Sequence, residues 1–298
     1  MAASKSVGLF NRRASIDSGT VDACEETKLT SDNQTQELAD MLSLRGQGFV
    51  VLGAGQGMGE QTAIALCQQG ANVLCVDLNA SAAERVAAAC DGHCMAADVT
   101  VRADMRKVFD EARKLFGESL RGVVDIVGMV HAKDITDMED ADWDRQFGLV
   151  FKHAYLAIQY AAPLIAANGG GSMVFIGSIA GLGVRTGRML PYATAKAALN
   201  QLVRGSAKQW AAAGVRMNVV APGLTRTPRL VDANGPEFWA AQGGEIPMGR
   251  PGEISDVIAS VLFYSSGMSR HVTGTVLAID GGAHLLGESS YVPKPNRQ

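Results

Sequence analysis

Three side chains in this sequence have the types and spacing to move a proton at a hydroxyl or carbonyl group. They are Ser178, at the end of an apolar run, and Tyr192 and Lys196, four positions apart at the start of a helical stretch. That spacing puts the phenol and the ammonium on one helix face, one turn apart. A tyrosine titrates at about pH 10, so it acts as a base near neutrality only where something stabilises its phenolate; a neighbouring lysine does so by direct charge. Lys196 also has the reach for the ribose hydroxyls of a cofactor. In this arrangement Ser178 would hold a substrate oxygen while Tyr192 removes or returns its proton and a hydride moves to or from a nicotinamide. Taken singly, a Tyr and a Lys on a helix are more often amphipathic surface residues, and an isolated Ser carries no information.

A second constellation upstream gives the first its meaning. An apolar run leads into Gly53-Ala54-Gly55-Gln56-Gly57-Met58-Gly59, after which a helical stretch begins. A helix N-terminus offers unpaired N–H groups and a positive dipole end, and glycines let a pyrophosphate approach the backbone closely. Asp77 closes the next strand, where a carboxylate accepts hydrogen bonds from adenosine ribose hydroxyls and repels a 2′-phosphate. NAD is therefore favoured over NADP, and Gln56 and Asn79 stand where an NADP site would want Arg or Lys. The plainer alternative for Asp77 is a turn residue at a strand end.

The elements that must position these groups follow a βα alternation from Gly48 onward. Strands are expected at Phe49–Leu52, Asn72–Val76, His93–Ala97, Val123–Val130, Ser172–Ile176, Arg216–Val220 and Val276–Ile279. Helices are expected at Gly57–Gln69, Ser81–Ala89, Arg102–Phe116, Asp142–Ala167, Tyr192–Ala213 and Ile254–Ser265, with Gly70 and Gly214 as stops. With no internal repeat or linker, this is an α/β chain with a single doubly wound Rossmann domain: a seven-stranded parallel sheet with helices on both faces. Its ligands belong beyond the carboxyl ends of the strands.

Composition agrees with a compact globule. The 298 residues are 47% apolar and 19% charged, and 27 Lys+Arg against 30 Asp+Glu give a net charge of −3, without the basic block of a nucleic-acid binder. No run of about 18 uninterrupted apolar residues exists to cross a bilayer. The five cysteines, Cys24, Cys67, Cys75, Cys90 and Cys94, are odd in number and irregularly spaced, which suits packing in a reducing cytoplasm. Cys90, His93 and Cys94 lack a second ligand pair, so no metal is expected. Residues 1–43 read as a flexible or docking arm with an acidic second half, 44–286 as the catalytic domain and 287–298 as a short tail; Lys5, Arg12 and Arg13 only faintly suggest a transit peptide.

Together these motifs resemble the short-chain dehydrogenase/reductase family over roughly residues 44 to 284. Gly53, Gly57 and Gly59 fit its G-x-x-x-G-x-G turn; Asp98-Val99 is similar to its adenine-contacting pair; Ser178, Tyr192 and Lys196 fall on its catalytic Ser and Y-x-x-x-K. Asn218 and Pro222-Gly223, followed by Thr227-Pro228, resemble the segment that closes over the nicotinamide, and Asp280-Gly281-Gly282 matches the usual end of the last strand. The resemblance implies catalytic Ser178, Tyr192 and Lys196. It also implies a NAD site formed by Gly53, Gln56, Gly57, Met58, Gly59, Asp77, Leu78, Asp98, Val99, Val130, Tyr192, Lys196, Pro222, Gly223, Thr225 and Thr227.

Two positions depart from the family pattern. Met129-Val130-His131-Ala132 stands where Asn-Asn-Ala-Gly is expected at the end of the fourth strand, and Val150 stands where the fourth catalytic residue, an Asn, holds a proton-relaying water. Either another group relays the proton, with His153 and His131 as candidates, or the relay is slower, or the site does not turn over.

The segments Gly181–Leu190 and Leu224–Pro247 would shape the substrate pocket. Leu182, Val184, Met189, Leu190, Leu230, Phe238 and Trp239 suit an apolar or cyclic secondary alcohol, with Ser178, Met189, Tyr192, Phe238 and Trp239 as the expected contacts. Arg185, Arg188 or Lys133 would pair with an acidic substrate group, unless they are ordinary solvated loop charges. Family members act on steroids, cyclic diols, sugars and acyl carriers, so the resemblance does not choose among these. The leading expectation is a NAD-dependent alcohol dehydrogenase or ketone reductase acting on a small molecule. A cofactor-binding partner subunit with weak catalysis is the alternative, and an NADP reductase a third. Relatives pair the helices read here as Asp142–Ala167 and Tyr192–Ala213, and Ala154, Ala157, Ala161, Ala193 and Ala197 permit close packing, so a homotetramer is expected.

Overall fold

A computed structural model describes Leu38, residues 40–183 and residues 187–285. Most of the expected arm, the tail after 286, Val184 and Arg185 lie outside the described residues.

Seven strands form one wholly parallel sheet: β1 (Gly48–Leu52), β2 (Asn72–Asp77), β3 (His93–Ala96), β4 (Leu120–Asp125), β5 (Gly171–Ile176), β6 (Val215–Pro222) and β7 (Val276–Ile279). Their spatial order is β3-β2-β1-β4-β5-β6-β7, so the chain reverses direction between β1 and β4 and opens a crevice there. The helices are α1 (Gly57–Gln68), α2 (Ala80–Ala89), α3 (Arg102–Phe116), α4 (Asp140–Phe147), α5 (His153–Ala167), α6 (Leu190–Trp210), α7 (Pro228–Ala233), α8 (Pro236–Gly244) and α9 (Ile254–Ser265).

Period-two alternation along the strands divides the core into two layers. Val50, Leu52, Leu74, Val76, Phe175 and Val219 pack against α3, α5 and α6 on one face. Phe49, Val51, Val73, Cys75, Val174 and Val220 pack against α1, α2 and α9 on the other. Because every strand of the inner sheet is covered twice, the strands read as continuous apolar runs.

Four expectations change. The fourth strand occupies Leu120–Asp125, not Val123–Val130. Gly122 lies inside it, the space of its missing side chain filled by Phe49: a Cβ there would lie 2.0 Å from the Phe49 ring. Its last ladder bond is Ile126 N–H to the Leu52 carbonyl, at 3.0 Å, after which the apolar chain leaves the sheet. The single helix expected over Asp142–Ala167 is α4 and α5 joined by a π-helical turn, Gly148–Lys152, which buries Val150 and His153 in the core. That stretch is apolar and long enough to cross a membrane by composition, but half of it is buried in the fold. Residues 224–247, read as loop, contain α7 and α8, each begun by a proline at its first position, where proline is favoured. Finally, Ala154, Ala157 and Ala161 face the sheet rather than an outer helix surface.

Gly59 illustrates how tightly the first crossover is built, since a Cβ there would fall 1.8 Å from the Gly53 carbonyl oxygen, a backbone atom that has nowhere to go. Gly59→Ala is therefore expected to cost about 3 kcal/mol, at the upper end for overpacking. Thermal denaturation should show a fall in Tm of about 6–12 °C. An unchanged Tm would mean that the β1–α1 contact is looser than described.

Candidate active site

The crevice at the β1/β4 reversal holds a cavity of ≈ 330 Å³ lined from several sides. Gly53, Gln56, Gly57 and Met58 come from the glycine turn and the N-terminus of α1, Asp77 and Leu78 from the end of β2, and Asp98, Val99 and Thr100 from the turn after β3. Thr227, Pro228 and Arg229 close it from the start of α7, Ile126, Val127, Gly128 and Met129 from the turn after β4, and Leu149 from the π-helical turn between α4 and α5. The Asp77 carboxylate is fixed by two backbone donors, accepting from Gly55 N–H at 2.8 Å and Asn79 N–H at 2.9 Å. Asp98 accepts from the backbone N–H and hydroxyl of Thr100 at 2.9 and 2.6 Å, which fixes the next turn. Free N–H groups at a helix end, a fixed carboxylate and small or apolar walls are the donor set that a dinucleotide needs, so these residues fit such a cofactor. A cation does stand nearby: Arg85 donates to the Gly55 carbonyl at 2.9 Å, but its charge is taken up by Glu60.

Of the expected cofactor residues, Gly59, Val130, Tyr192, Lys196, Pro222, Gly223 and Thr225 do not line this cavity. Gly59 serves helix–strand packing, Thr225 turns its hydroxyl to the Gly223 carbonyl at 3.1 Å, and Gly223 stands against Asp280. Asn218 is committed to the sheet, donating to the Val272 carbonyl and accepting from Thr275.

The end of β4 corrects the reading of the fourth-strand motif. Asp125-Ile126-Val127-Gly128 occupies the turn beside Gly53, four residues before Met129-Val130-His131-Ala132, and a Cβ on Gly53 would touch Val127 at 3.1 Å. The small glycine beside the cofactor crevice is thus present as Gly128. It has φ +154, and a side chain there would meet the Lys196 ammonium at 3.1 Å. The strand-end Asn is replaced by Asp125. Gln146, which the sequence did not single out, clamps the following segment: its side chain donates to the Met129 carbonyl at 2.8 Å and accepts from His131 N–H at 2.7 Å.

Ser178, Tyr192 and Lys196 come together just past the end of β5. Ser178 caps a short 3-10 turn, accepting from Ala180 N–H at 3.1 Å, and its hydroxyl hydrogen-bonds the Tyr192 phenol. Burial pushes the Tyr192 pKa up while the Ser178 contact pulls it down. Lys196 is wholly buried, donates to the Ile176 carbonyl at 2.6 Å and lies 5.8 Å from the Tyr192 ring centroid. Burial pushes its pKa down to about 8, opposed by the Asp125 carboxylate. Burial therefore favours the protonated phenol in this state.

Val150 is fully buried, so its position offers no polar atom for a water. Of the two histidines considered for a relay, His153 is buried against Asp125, Nδ1 to Oδ2 2.7 Å. His131 lies nearer the surface, 3.2 Å from Asp142.

Of the expected substrate contacts, Phe238 and Trp239 do not line the cavity; Trp239 is buried, its ring packed edge-on to the partly exposed Phe238 and under the Arg226 guanidinium at 5.0 Å. Its indole N–H has no partner. Met189 ends a 3-10 turn leading into α6. The cations considered for an acidic substrate group have carboxylate partners: Lys133 pairs with Asp142, and Arg188 with Asp134 at 3.6 Å. Among the described residues no cluster of His, Cys, Asp or Glu could hold a metal ion. Burial raises the Cys67 thiol to about 12, helped by its neighbour Cys90, and the Cys75 thiol higher still. Such protonated thiols are packing groups.

Comparison with known proteins agrees with this geometry. The sequence profile described as "Enoyl-(Acyl carrier protein) reductase" matches residues 53–284. Galactitol 2-dehydrogenase (L-tagatose-forming) of Cereibacter sphaeroides is 32% identical over 244 residues, 80% of this chain and 95% of that protein. 2-(S)-hydroxypropyl-CoM dehydrogenase 3 of Xanthobacter autotrophicus is 34% identical over 250 residues, 80% of this chain and 97% of that protein. The solved structure of a 7α-hydroxysteroid dehydrogenase complexed with NADH and 7-oxo glycochenodeoxycholic acid superposes with a TM-score of 0.77 at 31% identity, covering 82% of this chain and 96% of that one. With the profile matching residues 53–284 and the relatives and the superposed fold covering 80–82% of the chain, the chain belongs to the short-chain dehydrogenase/reductase family.

Proposed function

We propose that this protein is a NAD-dependent oxidoreductase that interconverts an apolar or cyclic secondary alcohol and its ketone. The observation that carries the reading is the hydrogen-bonded Ser178–Tyr192 pair with the Lys196 ammonium beside it, joined to the dinucleotide cavity through Gly128. A bound nicotinamide would supply the hydride donor or acceptor. The chain's own residues do the rest. Gly53, Gly57, Met58 and the N-terminus of α1 would hold the pyrophosphate, and Asp77 the adenosine ribose. Ser178 holds the substrate oxygen, Tyr192 donates a proton to it in reduction and takes one in oxidation, and Lys196 supplies the positive charge that makes the phenolate accessible.

NAD rather than NADP is supported by Asp77, whose fixed charge faces the cavity, and by the engagement of Arg85 with Glu60. An apolar substrate is supported by Phe238 and Trp239, and by the superposed 7α-hydroxysteroid dehydrogenase, which holds a bile-acid ketone. A cytoplasmic homotetramer is the assembly we associate with this activity; light scattering on the purified protein reads its mass directly. Val150 favours the one competing reading, a cofactor-binding subunit that turns over little.

Tyr192→Phe separates these readings. The enzyme reading expects a loss of about a thousandfold in kcat, within the span of general acid–base catalysis, with NADH affinity kept. A biological role untouched by this variant would favour the subunit reading. Asp77→Asn removes the charge that opposes a 2′-phosphate, and the NAD-to-NADP ratio of kcat/KM should fall at least about tenfold, since misplaced like charges cost several kcal/mol. No change in that ratio would assign the preference elsewhere. For ketone reduction both Tyr192 and Lys196 are needed in their protonated forms, and Lys196 is the one whose pKa is depressed. Its charge is present below about pH 8 and lost above it, so kcat/KM for reduction should decline as the pH rises through that value. A profile flat through that range would contradict the role given to Lys196.

A further inference from the structure

Asp125 and His153 lie outside the reacting set, yet their side chains are sealed from water, 0% and 1% exposed, and they meet at 2.7 Å. The second carboxylate oxygen accepts from Val127 N–H at 3.2 Å, in the turn that leads to Gly128. The far ring nitrogen of His153, Nε2, is buried with no partner. That orphan fixes the tautomer. A doubly protonated ring would bury an unpaired N–H, whereas the neutral ring with its proton on Nδ1 satisfies its only donor on Asp125 and leaves just a lone pair unmet. The carboxylate then carries a full negative charge in the interior, which demands a buried cation.

Lys196 is that cation. From β4 the Asp125 carboxylate acts on it at longer range than a direct ion pair, its strand lying beside the β5 strand whose Ile176 carbonyl accepts from the ammonium, and from its own helix α6 it stands by Tyr192. β5 contributes only the Ile176 carbonyl, and the 126–129 turn contributes the side-chain-free Gly128. From α5, His153 holds Asp125 at 2.7 Å. No other described charged side chain is found to act on Lys196. Val150, one turn before His153, leaves no polar group at its position to stabilise the ammonium from the solvent side.

We propose that Asp125, oriented by His153, is the buried counter-ion of Lys196, a positioning pair that keeps the ammonium charged from the protein interior. Its consequence for turnover rests on the oxidoreductase reading above; its electrostatics do not. The pair also supplies a physical reason for an acid at the strand end and a histidine at the start of α5 in the same chain: each is costly to bury without the other.

The test reads Lys196 directly, by NMR titration of the ε-carbon in protein labelled with ¹³C-lysine, the signal being assigned by its loss in Lys196→Arg. In the native chain the midpoint should lie at about 8. In Asp125→Asn, checked for folding by circular dichroism, it should fall by about one unit or more, a tenfold change in the protonation constant. His153→Leu should lower it too, and His153→Asn, which keeps an N–H donor for the carboxylate, should restore most of the difference. A folded Asp125→Asn whose Lys196 midpoint matches the native chain overturns the proposal. If Asp125→Asn does not fold, His153→Leu carries the test, and a native midpoint there overturns it equally. The alkaline limb of ketone reduction should move with the midpoint. A protein that shifts its Lys196 midpoint but reduces no ketone would sink the proposed function and leave the counter-ion intact.

Discussion

The site depends on a charge buried where water cannot reach it. An ammonium under the carboxyl edge of a parallel sheet loses its hydration, and the fold compensates with one carbonyl at 2.6 Å and one carboxylate. Everything around Lys196 is arranged to make that tolerable. The parallel order leaves the strand ends β4 and β5 side by side, so the Asp125 carboxylate and the Ile176 carbonyl arrive from adjacent strands. Gly128 gives the ammonium room, and the π-helical turn before α5 buries His153 against Asp125.

The two parts of the proposed site, the crevice assigned to a dinucleotide and the Ser178–Tyr192–Lys196 trio, share this edge because the chain reverses between β1 and β4. The crevice opens at the reversal, and the trio stands one strand further along. Gly128 belongs to both, lining the cavity on one side and standing against Lys196 on the other. A substrate oxygen near Ser178 and Tyr192 would therefore lie within reach of whatever the crevice holds. That adjacency, more than any single side chain, is what makes the arrangement suited to hydride and proton exchange at one carbon–oxygen bond.

Much of this was legible in the sequence, and what was legible was local. The glycine turn, Asp77, Ser178 and the Tyr192–Lys196 pair are set by spacing within one turn or one strand–helix junction, and the structure brings them to the places their spacing implied. The misreadings depended on partners far along the chain. The sequence reads the fourth strand as Val123–Val130, whereas it is Leu120–Asp125 with Gly122 packed by Phe49 from another strand. The shift of the fourth-strand motif followed, and with it the glycine beside the cofactor was sought four residues too late. Asp125 and His153 meet only in three dimensions, so neither announced the other; His153 was noticed solely because it follows Val150 at close range. Gln146 gave no signal at all, since its role is to hold two backbone groups. In residues 224–247 the prolines did mark helix starts, but two short helices between glycines read as loop.

The most direct measurement of the central claim is absorbance at the reduced-nicotinamide band while the purified protein and NAD are offered a panel of cyclic and aromatic secondary alcohols, acidic ones included. The account predicts reduction of NAD with at least one apolar cyclic member of the panel, accompanied by formation of the matching ketone. Silence across the panel and across the corresponding ketones with NADH, from protein that binds the cofactor by calorimetry, would contradict it.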